Sequence, residues 1–165
     1  MINIVIPMAG LGSRFSDAGY ENPKPFIDVA GKPMIERVMD NLNVEDANFI
    51  LLVRKEHIDK YQKYIESLQV KYRSSIFPIS ELTQGTACTV LLAREKINNA
   101  MPLIIANSDQ IVDIDLNEYV SDAAKRKLDG SILTFSNLQK DPKWSFARLD
   151  NENYVTEVRE KVAIS

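Results

Sequence analysis

Apolar residues in this chain recur with two different periods, and the alternation outlines a series of short strands and amphipathic helices. The run Ile2-Asn3-Ile4-Val5-Ile6-Pro7 predicts a buried strand. Pro33 suits the first position of a helix whose apolar face is Met34, Ile35, Val38, Met39 and Leu42. Asn48 to Val53, NFILLV, reads as a second buried strand. Glu56 to Leu68 reads as a helix with Ile58, Tyr61, Ile65 and Leu68 on one side, and Lys71 to Pro78 as a weaker strand carrying Tyr72, Ile76 and Phe77. Cys88 to Ile97 is a further helix, with Val90, Leu91 and Ile97 apolar, and Met101 to Ala106 is a strong buried strand. Asp115 to Leu128 reads as a helix and Gly130 to Phe135 as a strand. Phe146 to Leu149 and Tyr154 to Glu160 flank the turn-forming Asp150-Asn151-Glu152-Asn153, which predicts an antiparallel hairpin. Residues 16–32, rich in Asp, Gly, Asn and Pro, read as an irregular loop. No repeat, low-complexity tract or linker interrupts the series.

Strands alternating with helices imply right-handed crossovers and a three-layer α/β/α fold with a mainly parallel, Rossmann-like sheet. Such sheets bind ligands beyond the carboxyl ends of their strands. Three polar stretches fall just after predicted strands or in the turns that follow them: Gly10 to Arg14, Gln84-Gly85 and Asp109.

Composition narrows the chemistry. With 165 residues, one domain is the natural expectation, residues 1–165, large enough to bury a substantial core. The net charge of −3 gives no reason to expect nucleic-acid binding, although a local cationic pocket is compatible with it. The single Cys88 cannot form an intramolecular disulfide and reads as a small core residue. No apolar run is long enough to span a bilayer, and the N-terminus lacks a basic region leading into an apolar segment, so the expectation is a cytoplasmic chain with no membrane partner. His57, the only histidine, lies at the start of a charged helix and reads as a surface residue. One His and one Cys give little support to a histidine-rich zinc site or a Cys-His nucleophilic pair.

The most informative stretch is Met8-Ala9-Gly10-Leu11-Gly12-Ser13-Arg14-Phe15, directly after the first strand. Its glycines allow a tight turn and close approach to a ligand, its N–H groups favour an anion, and Arg14 adds a permanent cationic fork. Ten positions on, Lys24 sits between Pro23 and Pro25, on a segment stiff enough to aim its ammonium group. Two known phosphate motifs fail here. The dinucleotide fingerprint needs Gly or Ala where Phe15 stands, and a Walker A loop needs Ser or Thr where Pro33 follows Gly31-Lys32. The remaining pattern, G-x-G-[ST]-R with P-K downstream, resembles the signature of the sugar nucleotidyltransferases, the nucleoside-diphosphate-sugar pyrophosphorylases. For Gly10 and Gly12 alone, a plain strand-to-helix turn with solvated charges is an equal reading.

The resemblance runs from Met1 to Lys161. It implies the fold of the nucleotide-diphospho-sugar transferases and transfer of a nucleotidyl group from an NTP to a sugar 1-phosphate, with release of pyrophosphate. It implies that Arg14 and Lys24 are catalytic and that Met8, Ala9, Gly10, Gly12, Ser13, Gln84 and Gly85 bind the nucleotide. Gln84 would read the base, for which its amide supplies both donor and acceptor. Asp109 would hold Mg²⁺, and Glu160 with Lys161 would bind the sugar and its phosphate. Each of the last three has a structural alternative: a turn residue for Gln84, a cap for Asp109, a solvated strand end for Glu160-Lys161. Asn107-Ser108-Asp109 departs from the family, many of whose members have a glycine before the aspartate. The family's second metal-binding aspartate lies beyond the E-K segment, so the expectation is that these residues form the N-terminal portion of a longer enzyme. Two other functions stay open: a regulatory module that binds nucleotide or sugar nucleotide without turnover, and a transferase acting on phosphocholine. Homo-oligomerisation also stays open.

Overall fold

The computed structural model describes residues 1–165, which form two compact units, Met1–Ser121 and Asp122–Ser165. In the first unit, β1 (Ile2–Met8) and β2 (Ala47–Arg54) are central strands whose residues are buried on both faces, as their near-continuous apolar runs require. β3 (Ser75–Ile79) pairs with β2 and β4 (Leu103–Ile105) with β1, all in parallel, in the order β3-β2-β1-β4. Alternate side chains serve opposite faces. Ile4, Ile6, Met8, Leu51 and Val53 meet α2 (Met34–Asn41), α4 (Gln62–Tyr72) and Leu116 of α7 (Leu116–Lys125) in one core cluster. Val5, Ile50, Leu52 and Ile79 meet Val90 of α5 (Thr86–Leu92) and Ala93 in the other. The sheet is therefore covered by helices on both faces, as the alternation of periods predicted.

The strand order places a switch point between β1 and β4. From β1 the chain advances through β2 to β3, then returns to the far side of β1. At the amino ends of these strands a partly buried polar chain links β1, β2 and the loop before β4. Asn48 Nδ2 donates to Asn3 Oδ1 (2.8 Å), Asn3 Nδ2 donates to Asn99 Oδ1 (3.4 Å), and Asn99 Oδ1 also accepts from the Met101 N–H (2.9 Å). Asn3 is fully buried and satisfied by side chains, which is how a polar residue survives in a central strand.

Several sequence-based expectations need correction. Pro33 is not the first helical residue: it keeps an extended ψ of 142°, and α2 begins at Met34. The helix expected over 56–68 is two helices, α3 (Lys55–Lys60) and α4, broken at Tyr61 with φ −117° and ψ 29°. Lys71 and Tyr72 belong to α4, which ends on Arg73 in the left-handed conformation, so β3 starts only at Ser75. The helix expected over 88–97 starts earlier, at Thr86, and breaks at Ala93 before α6 (Arg94–Ile97). Leu91 is 62% exposed and Cys88 is exposed, so neither is a core residue.

The strand expected over 101–106 is reduced to three residues and is not buried: Leu103 and Ile105 are 40% and 54% exposed. Both lie in register with the face of β1 that carries Val5, and the helical cover on that face extends over β1, β2 and β3 but not over this edge strand. Asp115 is a cap rather than a helical residue, its carboxylate accepting from the Asn117 and Glu118 N–H groups at the start of α7.

In the second unit, the expected hairpin is formed by β5 (Ser145–Leu149) and β6 (Val155–Glu160), antiparallel, with an irregularity at Arg148/Leu149. Asp150 Oδ1 closes its turn by accepting from the N–H groups of Glu152 and Tyr154, each at 2.9 Å. Phe146 is buried, and Trp144 packs edge-on against Phe135 at 5.1 Å between centroids, so both aromatics pack. No strand forms over 130–135; Ile132, Leu133 and Phe135 stay largely exposed, because an apolar run alone does not make a strand without a partner to pair with.

Candidate active site

The site is built at the carboxyl ends of β1 and β4, on the two sides of the switch point. β1 ends at Met8, which is buried with Ala9, and the chain turns through Gly10-Leu11-Gly12 into α1 (Ser13–Asp17). Gly12 has φ 63°, the left-handed region, and a Cβ there would stand 3.4 Å from the Cβ of Lys24. The backbone conformation favours glycine at this position, and the turn lies against Lys24. The turn holds itself together by Gly12 C=O accepting from the Phe15 and Ser16 N–H groups, while Ser13 and Arg14 stay exposed.

Lys24 opens a single 3-10 turn, Lys24–Phe26, inside the segment expected as irregular loop. Pro25 and Phe26 are buried and anchor it, while the Phe26 N–H donates to Pro23 C=O at 2.8 Å. The Lys24 ammonium is thereby delivered beside the glycine loop. It lies 5.7 Å from the Phe15 ring centroid and 2.5 Å from Asp109 Oδ2. Asp109 reaches this point because the Ala106 N–H donates to Val5 C=O and keeps the chain beside β1 past the end of β4. Neighbouring Ser108 is buried, and Asn107 Nδ2 donates to Gln110 Oε1 at 2.7 Å, which shapes the turn that presents the carboxylate. The carboxylate faces Lys24, an arrangement in which the cap reading has no part.

The structure therefore brings Gly12, Phe15, Lys24 and Asp109 into contact from segments far apart in the chain. The sequence pointed to Gly12, Lys24 and Asp109 separately; that lysine and aspartate pair directly was not visible, since nothing in local spacing links positions 85 apart.

Gln84 and Gly85 lie in the turn between β3 and α5, both exposed. Gly85 has φ 147° and ψ 173°, a conformation nearly confined to glycine. Two hydroxyls that sequence reasoning missed hold it there. Thr83 Oγ1 and Thr89 Oγ1 lie 2.5 Å apart, and each is 3.2 Å from the Gly85 carbonyl oxygen. The signal was present in the chain, as threonines two before and four after a glycine at a helix start.

Glu160 and Lys161 belong to the second unit. Glu160 ends β6, and Lys161 follows in the left-handed conformation, its N–H donating to Trp144 C=O. Their side chains pair with each other at 3.2 Å and are largely solvated, which agrees with the strand-end reading of their local structure.

His57 is not the surface residue expected. Its ring packs against Phe26 and its Nδ1 is buried without a hydrogen-bond partner. Burial and the Arg54 guanidinium push its pKa down.

For a divalent cation the donor chemistry fits in a limited way. Asp109 supplies one hard carboxylate, partly exposed and already facing a cation, and no group of three or more His, Cys, Asp or Glu gathers elsewhere. A single carboxylate suits Mg²⁺ held mainly by phosphate oxygens and water rather than by a protein cage.

Comparison with known proteins gives a consistent answer. The family model described as nucleotidyl transferase matches residues 4–162. The chain is 29% identical over 161 residues to the bifunctional protein GlmU of Methanococcus aeolicus, a match covering 97% of this chain and 36% of that protein. It is 23% identical over 156 residues to the mannose-1-phosphate guanylyltransferase catalytic subunit beta of Dictyostelium discoideum, covering 90% and 42%. The chain thus spans a minority of the length of these relatives. Among solved structures, a nucleoside-diphosphate-sugar pyrophosphorylase from Vibrio cholerae superposes with a TM-score of 0.73 at 25% identity, covering 98% of this chain and 68% of that one. A UDP-glucose pyrophosphorylase complexed with UDP-glucose gives 0.75 at 18% identity, covering 98% and 70%, and shares the fold.

Proposed function

The chain belongs to the nucleotidyl transferase family, and from that membership we propose that it serves the transfer of a nucleotidyl group from an NTP to a sugar 1-phosphate. The products are an NDP-sugar, a precursor for polysaccharide or glycoconjugate synthesis, and pyrophosphate. The observation that carries this reading is the Lys24–Asp109 pair closed against the Gly12 turn at the sheet's switch point. It presents a cation for phosphate oxygens and a carboxylate for a metal side by side.

A phosphate oxygen of the sugar phosphate attacks the α-phosphorus. The P–O bond to the β-phosphate breaks, and pyrophosphate leaves with the electron pair. The attacking oxygen is already anionic at neutral pH, because the second pKa of a phosphate monoester is about 6. No side chain has to remove a proton, and the protein's work is alignment and charge neutralisation. Lys24 exchanges Asp109 for phosphate oxygens, and Arg14, exposed at the start of α1, neutralises the departing pyrophosphate. Mg²⁺, held by Asp109 and the phosphates, would supply charge stabilisation at the α-phosphate. Met8, Ala9, Gly10, Gly12 and Ser13 form the turn that admits the triphosphate. Gln84 and Gly85 read the base, and Glu160 with Lys161 hold the sugar phosphate. The single cysteine and the soluble character of such an enzyme suit the cytoplasm.

The test is pyrophosphate release from each of the four NTPs mixed with hexose 1-phosphates, and separately with phosphocholine. Release with a hexose 1-phosphate supports the proposal. Release with phosphocholine alone moves the acceptor. Saturable NTP binding without release from any acceptor marks a regulatory module.

A further inference from the structure

The catalytic lysine of the proposed reaction stands on a turn too short to orient itself: three residues, with its amide hydrogen bonds confined to one loop. What fixes that turn lies elsewhere. Phe26, two residues after Lys24, is buried under three rings from the α3–α4 segment. Tyr61 lies 4.8 Å away between centroids, Tyr64 5.5 Å, and His57 6.1 Å. Two residues before Lys24, the Asn22 side-chain oxygen accepts a hydrogen bond from the Tyr61 hydroxyl at 3.2 Å. Tyr61 alone reaches both sides of Pro23-Lys24-Pro25. It does so from the break between α3 and α4, where its non-helical φ of −117° turns it away from an ordinary helical course. The cage wall is itself braced, since the Tyr64 hydroxyl donates to Glu36 Oε1 on α2 at 3.0 Å.

We propose that Tyr61 is a positioning residue for Lys24. It packs on Phe26 and holds Asn22, and so sets the rotation of the 3-10 turn that aims the ammonium at the phosphates. The inference rests on the reading of Lys24 as a phosphate-binding group. The interrupted helix is part of the device: a continuous helix over 56–68 would carry Tyr61 at regular helical dihedrals. The proline on each side of Lys24 makes the turn stiff, so holding its two ends holds the lysine.

A double-mutant cycle on the full chain tests this, with titration calorimetry of inorganic pyrophosphate as the readout and circular dichroism as the check on folding. Lys24→Ala should weaken pyrophosphate binding by about tenfold or more, the worth of a charge-assisted hydrogen bond. Tyr61→Ala should weaken it by a similar factor. The double variant Lys24→Ala/Tyr61→Ala should bind no worse than Lys24→Ala, because a residue acting only through Lys24 has nothing left to act on. Tyr61→Phe keeps the ring and removes only the bond to Asn22; it carries the same cycle if Tyr61→Ala does not fold, with a smaller loss that also vanishes in the Lys24→Ala background. Losses that add in the double variant, or a Tyr61 variant that binds like wild type, overturn the positioning role. Wild-type binding by Lys24→Ala, or none by the wild type, overturns the phosphate reading instead, and the single Lys24 variant makes the two failures distinct.

Discussion

At the scale of residues, the account rests on charges that change partners. Lys24 and Asp109 neutralise each other. A nucleotide must take the lysine and a metal the carboxylate, so the two ligands should help each other bind. Lys24→Ala removes the competitor for Asp109 and should tighten binding of Mn²⁺ alone, read by its paramagnetic effect on water relaxation, while weakening NTP binding. Looser Mn²⁺ binding in that variant would show that the pair does not compete. In turnover, Lys24→Ala or Arg14→Ala should cost on the order of a hundredfold with the fold intact, the scale seen when a charge-stabilising donor is lost. Wild-type rates in either variant would remove that residue from the mechanism. Gln84→Ala should relax discrimination among the NTPs, and an unchanged preference would mean that the base is read elsewhere. Gly12, Lys24 and Asp109, which the structure brings together, were legible in the sequence through the glycine-loop pattern and the family resemblance it carries. The hydroxyls behind Gly85 and the rings around Phe26 were not, since support of this kind comes from long-range packing that carries no local pattern.

At the scale of elements, α2 and α4 are joined by a polar cluster beside the core. Glu36 accepts from Lys71 and from the Tyr64 hydroxyl, and the single Tyr72 hydroxyl proton is shared between Asp40 Oδ1 at 2.7 Å and Glu36 Oε2 at 3.3 Å. Burial by itself would raise the Glu36 carboxyl, but the hydrogen bonds from Lys71, Tyr64 and Tyr72 together outweigh it and leave its pKa lowered. Burial, followed by the hydrogen bond to Asp40, pushes Tyr72 up to about 12, against the lowering effect of Lys71. The sign for Glu36 follows from its lowered value. Its contribution is fully present above the unfolded carboxylate pKa of about 4.3 and is lost as pH falls through the folded pKa. Urea unfolding of Glu36→Gln should therefore show a flatter acid limb than wild type below about pH 4.3; parallel limbs would contradict the assignment. Element type was readable wherever a long apolar run or helical stripe was available, as in β1, β2 and α2. Boundaries failed where backbone conformation decided them, at Tyr61, Arg73 and Ala93. Burial failed at β4, because hydrophobicity along one strand does not reveal whether a helix covers its face.

At the scale of the whole molecule, stability and function are drawn from different parts of the sheet. The central strands carry the core, so Leu51→Ala should cost about 2–5 kcal/mol. Ile105→Thr on the exposed face of β4 should stay within roughly 0.5 kcal/mol, both read by urea denaturation. Equal costs would mean that the edge strand is covered in solution. The loops beyond the carboxyl ends of β1 and β4 carry less of the core, and from them Lys24 and Asp109 are presented to ligand. The chain carries a net charge of −3, so attraction for a polyanion must come from the local field around Lys24 and Arg14. The most direct test is calorimetric titration of the full chain with Mg²⁺ and each NTP, beside Lys24→Ala. The account predicts saturable binding of at least one NTP that weakens about tenfold or more in the variant, as the loss of a charge-assisted contact requires. Absence of binding by all four NTPs, or equal affinity in Lys24→Ala, would contradict it.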